Sequence, residues 1–126
     1  MDPVQDQSLP ADRTGFSIVR SSGRIHALIG DELDVYWISR LGSELAGAIE
    51  YGSGEELVVD LRETVFIDSS ALRFLLELER RSKGDGFDYT ILIGDGQVRK
   101  LLETTGVMSK LPVRALDGEH PFPSSA

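Results

Sequence analysis

The stretch that decides the fold is VVDLRETVFIDSSALRFLLELERR, residues 58–81. Its first half is rich in β-branched and aromatic residues, which favour strands. Its second half repeats apolar residues at helical spacing between charged ones, which favours a helix. The halves meet at an Asp-Ser-Ser triplet, residues 68–70, and these residue types are good helix N-caps. We therefore predict a strand over 57–61 and a helix over 69–83, with polar side chains where the helix begins.

Similar segments continue on both sides of this stretch. Upstream, we predict a two-strand hairpin and a helix capped by Asp34; these elements cover residues 16–19, 24–29 and 35–51. Downstream, we predict a strand, a helix and a short last strand; these elements cover residues 89–93, 96–105 and 111–114. The order β-β-α-β-α-β-α-(β) predicts an α/β fold with a mixed sheet of four to five strands and about three main helices. Right-handed crossovers would make most of that sheet parallel.

The chain is predicted to fold as one domain with a polar segment at each end. Its 126 residues are enough to bury a single core. Residues 1–14 contain two prolines and little apolar surface, so we expect a mobile arm there. Residues 117–126 contain one glycine and two prolines, so we expect a tail, with a terminal helix that is short or missing. The domain itself is expected to span residues 15–116.

The composition favours a protein that binds another protein. The chain has no cysteine, which excludes disulfides and makes a reducing cytoplasm the expected location. No apolar run approaches the length of about 18 residues that suggests a membrane span. The formal net charge of −8 argues against binding to nucleic acid or to anionic membrane surfaces.

The sequence lacks the motifs that are typical of an enzyme active site or of a metal site. The two histidines, His26 and His120, fall in a predicted strand and in the tail, where neither is placed to activate a serine. Two scattered histidines without cysteine exclude the usual zinc spacings, and no phosphate-binding GxxxxGK[ST] loop occurs. A phosphate-accepting receiver domain would use Asp60 or Asp68, but no lysine follows Ile93 as that fold requires. We therefore expect no catalysis, no cofactor and no metal.

The triplet at residues 68–70 allows two interpretations. A helix needs only one capping residue, and a capping box would need Glu or Gln where Leu72 and Arg73 stand. A helix N-terminus also accommodates a phosphate well, because its N–H groups are free and its dipole is positive there. Phosphorylation of a serine would add a charge of about −1.5 to −2 beside Asp68, which a docked partner would have to accommodate. The triplet is either a cap alone or a cap that doubles as a switch.

Three segments of the chain together resemble one known family. Residues 28–34, LIGDELD, are similar to an L-x-G-E-L-D turn with one extra acid. Residues 57–61 and 65–72, LVVDL and VFIDSSAL, are similar to a hydrophobic strand ending in D-L and the signature F-x-D-S-S-G-L. Residues 98–107, VRKLLETTGV, look like V-R-x-L-L-x-x-T-G-L. In this order the segments resemble the STAS domain, the fold of anti-sigma-factor antagonists of the SpoIIAA and RsbV type.

The resemblance implies an interaction module without catalysis of its own. In the best-known members the unphosphorylated form binds an anti-sigma factor that is also a serine kinase, and so frees the sigma factor. The kinase phosphorylates the first serine after the signature Asp, and a metal-dependent phosphatase reverses this. By this resemblance Ser69 is the phosphorylation site; the implied partner-binding residues are Asp34, Asp68, Ser70, Ala71 and Arg73. The protein would be a monomer or weak homodimer; a STAS-type scaffold or transport-associated binding module without phosphorylation is the alternative.

The chain also departs from the family pattern beside the implied site. Ala71 replaces the usual glycine, and Arg73 stands where many members have a small residue. Both lie on the first turn of the predicted helix, where they bear on the choice of partner. Tyr36 and Trp37 follow Asp34 in place of small or polar residues. They are either anchors for a partner, since aromatic residues are enriched in binding hot spots, or packing against the sheet.

Overall fold

A computed structural model describes residues 14–49 and 56–115. The strands are β1 Phe16–Ser21, β2 Arg24–Ile29, β3 Glu32–Leu33, β4 Glu56–Asp60, β5 Phe66–Ile67, β6 Asp88–Ile93 and β7 Val113–Ala115. The helices are α1 Val35–Ile49, α2 Ser69–Asp85 and α3 Gln97–Thr104, followed by a 3₁₀ helix at Val107–Lys110. The predicted arm (apart from its last residue), the predicted tail with His120, and the predicted end of the first helix lie outside the described residues.

The main sheet is mixed, as the sequence predicts. Its five strands run in the order β1-β2-β4-β6-β7. The first pair is antiparallel and the other three pairs are parallel. The hairpin between β1 and β2 turns at Ser22 and Gly23, which have φ of 46° and 78°. Two successive residues with positive φ are the signature of a type I′ turn, whose twist suits a tight hairpin.

All three helices contribute to one apolar cluster, together with the strands of the main sheet. Leu57 and Val59 of the central strand β4 belong to this cluster and are fully buried, while Asp60 lies on the opposite face of the strand. The Tyr89 hydroxyl of β6 donates a hydrogen bond of 3.0 Å to the backbone carbonyl of Leu75 in α2. Each fully buried aliphatic side chain contributes about 1.5–3 kcal/mol to folding, so this cluster fixes the helices on the sheet. No helix of the described residues is long and apolar enough to cross a membrane.

The sequence did not predict a second, two-stranded sheet. Strands β3 and β5 pair in parallel, with Glu32 opposite Phe66 and Leu33 opposite Ile67. Segments of two residues are too short to show periodicity, so no pattern could indicate them. The small sheet joins the segment before α1 to the segment before α2, and it thereby positions the predicted site.

Candidate functional site

The small sheet brings two predicted motifs together, although about thirty residues separate them in the chain. The backbone N–H groups of Val65 and Phe66 donate to the carbonyl of Asp31 over 2.8 and 3.1 Å. The N–H of Asp68 donates to the carbonyl of Leu33 over 3.3 Å. The turn before α1 and the signature before α2 are therefore held side by side.

Asp68 connects the starts of both helices through one carboxylate. Its Oδ1 accepts the N–H of Ala71 over 2.9 Å, which makes Asp68 the N-cap of α2. Its Oδ2 accepts the N–H of Val35, the first residue of α1, over 3.1 Å. A negative carboxylate at two positive helix ends is stabilising. The cap interpretation of the triplet is confirmed for Asp68, and the link to α1 is an addition that the sequence did not predict.

Asp34 caps α1, as the sequence predicts. Its Oδ1 accepts the N–H of Trp37 over 3.2 Å, and its backbone carbonyl accepts the N–H of Ile38 over 2.9 Å. The side chain is partly buried. Asp34 and Asp68 therefore lie at neighbouring helix starts, with carboxylate oxygens already bonded to backbone N–H groups.

The remaining predicted site residues differ in their exposure. Ser69 and Arg73 are exposed, and Ser70 is partly buried. Ala71 is 0% exposed and belongs to the apolar core, because this position of the first turn faces the sheet. The structure thus corrects the expected surface role of Ala71: in this conformation its methyl group packs under the site, and only its backbone N–H takes part there.

Exposed apolar side chains flank the two caps. Val35 and Tyr36 follow Asp34, and Val65 and Phe66 precede Asp68 by two or three residues. Their exposed fractions run from 50% for Phe66 to 64% for Val35, and they are all of the exposed large hydrophobic residues in the described ranges. We call these four residues the apolar rim. A cluster of this kind marks an interaction surface more often than scattered single residues do.

Tyr36 and Trp37 have different roles. Trp37 is partly buried and packs edge-on against Phe16, with ring centroids 6.2 Å apart. A Cβ atom on Gly15 would lie only 3.1 Å from carbons of the Trp37 ring. Gly15 also has a φ of 80°, which side chains disfavour, so glycine is required at this position. Tyr36 is 55% exposed, with the guanidinium of Arg40 5.2 Å from its ring centroid. Of the two interpretations, packing therefore applies to Trp37, and Tyr36 remains available to a partner.

A groove of about 490 Å³ extends from the apolar rim toward α3. One side is formed by β5 and the residue before it, and the other by α3; the lining residues are Val65, Phe66, Ile67, Gln97, Val98, Lys100, Leu101 and Thr104. The groove is mostly apolar, with the Lys100 amine as its cation. The groove adjoins the signature, because its lining residue Ile67 directly precedes Asp68 in the chain.

A buried polar network lies on the sheet face opposite the apolar cluster, and the sequence did not predict it. Asp60 is 3% exposed; its Oδ2 lies 2.9 Å from His26 Nε2, and its Oδ1 accepts from Arg62 Nε over 3.1 Å. Burial alone would raise the pKa of Asp60, but hydrogen bonds from His26 and Arg62 outweigh it and hold the pKa below 3.8. The one sequence signal for this network was Asp60, an acid at the end of an apolar strand. Its partner His26 could not be predicted, because the parallel pairing of β2 with β4 brings the two residues together.

This network connects the end of β4 to the signature loop, which here means residues 61–65 before the signature. Its Arg62 is the second residue after β4 and leads into the signature loop, so the network fixes where that loop starts. Within the described residues, no group of three or more His, Cys, Asp or Glu side chains could hold a metal ion.

The fold and site together define an α/β domain with two capped helix starts and an apolar rim beside them. The family model of the STAS domain matches residues 18–119, and the chain belongs to this family. Among solved structures the chain is similar to an anti-sigma factor antagonist from Mycobacterium paratuberculosis, with 17% identity, coverage of 94% of both chains and a TM-score of 0.64.

A second solved structure shares the fold. It is an uncharacterized protein of the DUF3478 family from Shewanella loihica with a SpoIIAA-like fold; identity is 16%, coverage is 90% of this chain and 94% of that one, and the TM-score is 0.54. At such identities the likeness concerns the fold. A search of curated protein sequences found no relative of the chain.

Proposed function

We propose that the protein is an anti-sigma-factor antagonist that binds a kinase-type anti-sigma factor and is switched off by phosphorylation of Ser69. The observation that carries the proposal is the position of the apolar rim. Its four side chains border the two caps, and the exposed Ser69 follows one of these caps directly. The similarity to an anti-sigma factor antagonist supports the same role.

The apolar rim supplies the binding energy in this proposal. Large apolar side chains that become fully desolvated at an interface dominate binding energies, and Tyr is among the most frequent of them. Asp34, Asp68 and Arg73 would set orientation and partner choice around this rim, because charged groups at a rim contribute more to specificity than to affinity. Ser70 lies beside Ser69 and would form part of the contact.

Ser69 is suited to a switch because its hydroxyl is not used by the fold. The residue is exposed, and its hydroxyl makes no hydrogen bond with the described residues. Phosphorylation transfers the γ-phosphoryl group of ATP to Ser69 Oγ, with loss of the hydroxyl proton and release of ADP. The phosphate adds about −1.5 to −2 charge beside Asp68, next to apolar side chains that a partner would bury. Binding would end through this charge while the α2 N-terminus tolerates the phosphate; a metal-dependent phosphatase would restore the free hydroxyl.

We propose that the protein acts in the cytoplasm. The kinase and phosphatase that it requires act in the cytoplasm, where the cysteine-free chain needs no oxidation to fold. The antagonist would act as a monomer or weak homodimer, so that the apolar rim stays open to the anti-sigma factor.

The test is capture of the partner followed by phosphorylation. The tagged full chain is used to isolate an anti-sigma factor, which is then mixed with the antagonist and ATP, and the phosphate is located by mass spectrometry. We expect phosphate on Ser69, no labelling of Ser69→Ala, and normal labelling of the control Ser109→Ala, which changes an exposed serine in the 3₁₀ helix. Phosphate at another residue, with Ser69→Ala labelled as strongly as the parent, would contradict the site.

The alternative is a scaffold or transport-associated module that binds without phosphorylation. The departures from the family pattern beside Ser69 favour it, because Ala71 and Arg73 replace the residues usual on this turn, which bears on recognition by a kinase. Binding of Ser69→Asp as tightly as the parent, together with capture of transporter subunits instead of an anti-sigma factor, would support this alternative.

A further inference from the structure

We infer that Arg73 is a built-in partner for the phosphate on Ser69, so that phosphorylation creates an ion pair within α2. The inference rests on the proposed phosphorylation of Ser69 and adds a mechanism of regulation to it. The switch would then act twice: it places a negative group on the docking surface, and it draws a positive group away from a docked partner.

The helix geometry places the two side chains together. Ser69 is the first residue of α2, and Arg73 follows four residues later. Residues with this spacing lie on the same face of a helix, about 6 Å apart along its axis. Both side chains are exposed, so neither has to leave the core to meet the other. A guanidinium can donate two parallel hydrogen bonds to a phosphate, which makes arginine the best side chain for this contact.

Arg73 is the exception among the cations of α2. The other three each have a carboxylate about one turn away: Arg80 pairs with Glu77, Arg81 with Asp85 and Lys83 with Glu79. The Arg73 side chain makes no ion pair or hydrogen bond with the described residues. The structure therefore leaves one arginine of this helix without a carboxylate, and it is the one nearest the serine.

The nearby acids are already engaged. Glu77 is the acid at helical spacing from Arg73, and it accepts a hydrogen bond from Arg80. The two oxygens of Asp68 accept the N–H groups of Ala71 and Val35. A phosphate on Ser69 would therefore meet Arg73 without having to displace an existing ion pair.

The pairing explains how a phosphate could be added beside Asp68 without loss of the fold. The guanidinium would offset part of the new charge, and the free N–H groups of the first turn would offset more. In the unphosphorylated protein the same guanidinium remains available for a carboxylate of a partner. Phosphorylation would remove that contact as well as add repulsion.

The experiment measures the second pKa of the phosphate by ³¹P NMR. Phosphoserine is incorporated at position 69 of the full chain, in the parent and in Arg73→Gln. Because the pair favours the doubly charged phosphate, we expect this pKa to be higher in Arg73→Gln by about half a unit. In the parent, the Arg73 Nε–H resonance should move with the same midpoint as the phosphate.

Two controls separate a contact from a general effect of charge. Arg81→Gln removes a charge that lies about 18 Å from Ser69 along the helix axis, and it should leave the phosphate pKa unchanged. Arg73→Lys keeps the charge but not the two parallel hydrogen bonds, so it should give an intermediate value. Circular dichroism confirms that each variant is folded.

The inference is overturned if the phosphate of Arg73→Gln titrates within about 0.2 unit of the parent, or if Arg81→Gln gives an equal shift. Because phosphoserine is incorporated directly, this result does not depend on a kinase. Failure of the kinase to label Ser69 would instead count against the proposed function, so the two failures are distinguishable.

Discussion

Adjacent residues at the start of α2 have different roles. Both oxygens of Asp68 accept backbone N–H groups, one from each of two helices, whereas Ser69 is exposed and its hydroxyl makes no hydrogen bond with the described residues. Asp68 therefore belongs to the fold, and Ser69 is free for chemistry. The sequence predicted the cap of α2, since Asp and Ser are common caps. It could not predict the bond to Val35, because that partner comes from a segment 33 residues away.

Substitution of the two residues should separate cap from switch. We expect Asp68→Ala to lower the free energy of unfolding by about 1.5–3 kcal/mol, because one N-cap and a second hydrogen bond to a charged group are lost. Ser69→Ala, the matched control at the next position, should change it by less than about 0.5 kcal/mol. Urea denaturation followed by circular dichroism measures both values. Equal effects of the two substitutions would show that the cap is not specific to Asp68.

At the scale of elements, the buried network ties β2 to β4 and to the loop that carries the signature. Asp60 ends β4 and bonds to His26 of β2, while Arg62 begins the connection to β5. A buried carboxylate that loses its charge no longer attracts the cation beside it, which destabilises the fold. The network therefore holds the signature loop against the sheet from the side opposite the helices.

The substitution Asp60→Asn, studied at two pH values, should test whether the charge of Asp60 stabilises the fold. At neutral pH we expect the free energy of unfolding to fall by about 2–3 kcal/mol, less than for a fully buried pair because Arg62 is partly exposed. The folded state holds the pKa of Asp60 below its ordinary value of 3.8. A lowered pKa contributes stability above the unfolded pKa, and this contribution is lost as the pH falls through the folded pKa.

The difference between the parent and Asp60→Asn should therefore shrink as the pH falls below about 4. Urea denaturation at pH 7 and at about pH 3 measures this change. Asp88→Asn is the control, since Asp88 is an exposed acid on the same sheet. A difference that stays constant with pH would mean that the charge of Asp60 does not stabilise the fold.

The long elements were predictable and the short ones were not. Strand β4 and helices α2 and α3 have enough residues to show their periods, and their predicted positions agree with the structure to within a few residues. Helix α2 runs on to Asp85 and ends at Gly86, whose φ of 81° is the usual left-handed helix end. Strands β3 and β5 depend on pairing between distant segments, which no local pattern records, and the 3₁₀ helix is a single short turn shortly after α3.

At the scale of the whole molecule, the topology places the site. Strands β2, β4 and β6 are parallel, so their carboxyl ends meet at one edge of the sheet. The helices α1, α2 and α3 begin from that edge, and in open α/β sheets this is where ligands bind. The sequence predicted a largely parallel sheet, and the convergence at this edge is a finding of the structure. The sequence could not show which side chains point outward, as the burial of Ala71 and the exposure of Tyr36 demonstrate.

Two substitutions in the apolar rim should weaken partner binding without affecting the fold. Tyr36 and Phe66 come from different segments, and both belong to the apolar rim beside the capped helix starts. If the proposed function holds, we expect Tyr36→Ala and Phe66→Ala each to reduce affinity for the proposed anti-sigma factor partner about 10- to 30-fold, as loss of a hot-spot residue does. Isothermal titration calorimetry with the captured anti-sigma factor measures the affinity.

The matched control lies at the other end of the sheet. Asp88 is exposed at the amino end of β6, and Asp88→Ala should bind the anti-sigma factor as the parent does. Because exposed side chains contribute little to stability, the free energy of unfolding of the two rim variants should change by less than about 0.5 kcal/mol. Undiminished affinity in both rim variants would place the docking surface elsewhere on the domain. Loss of affinity in Asp88→Ala as well would show that binding responds to overall charge and not to the apolar rim.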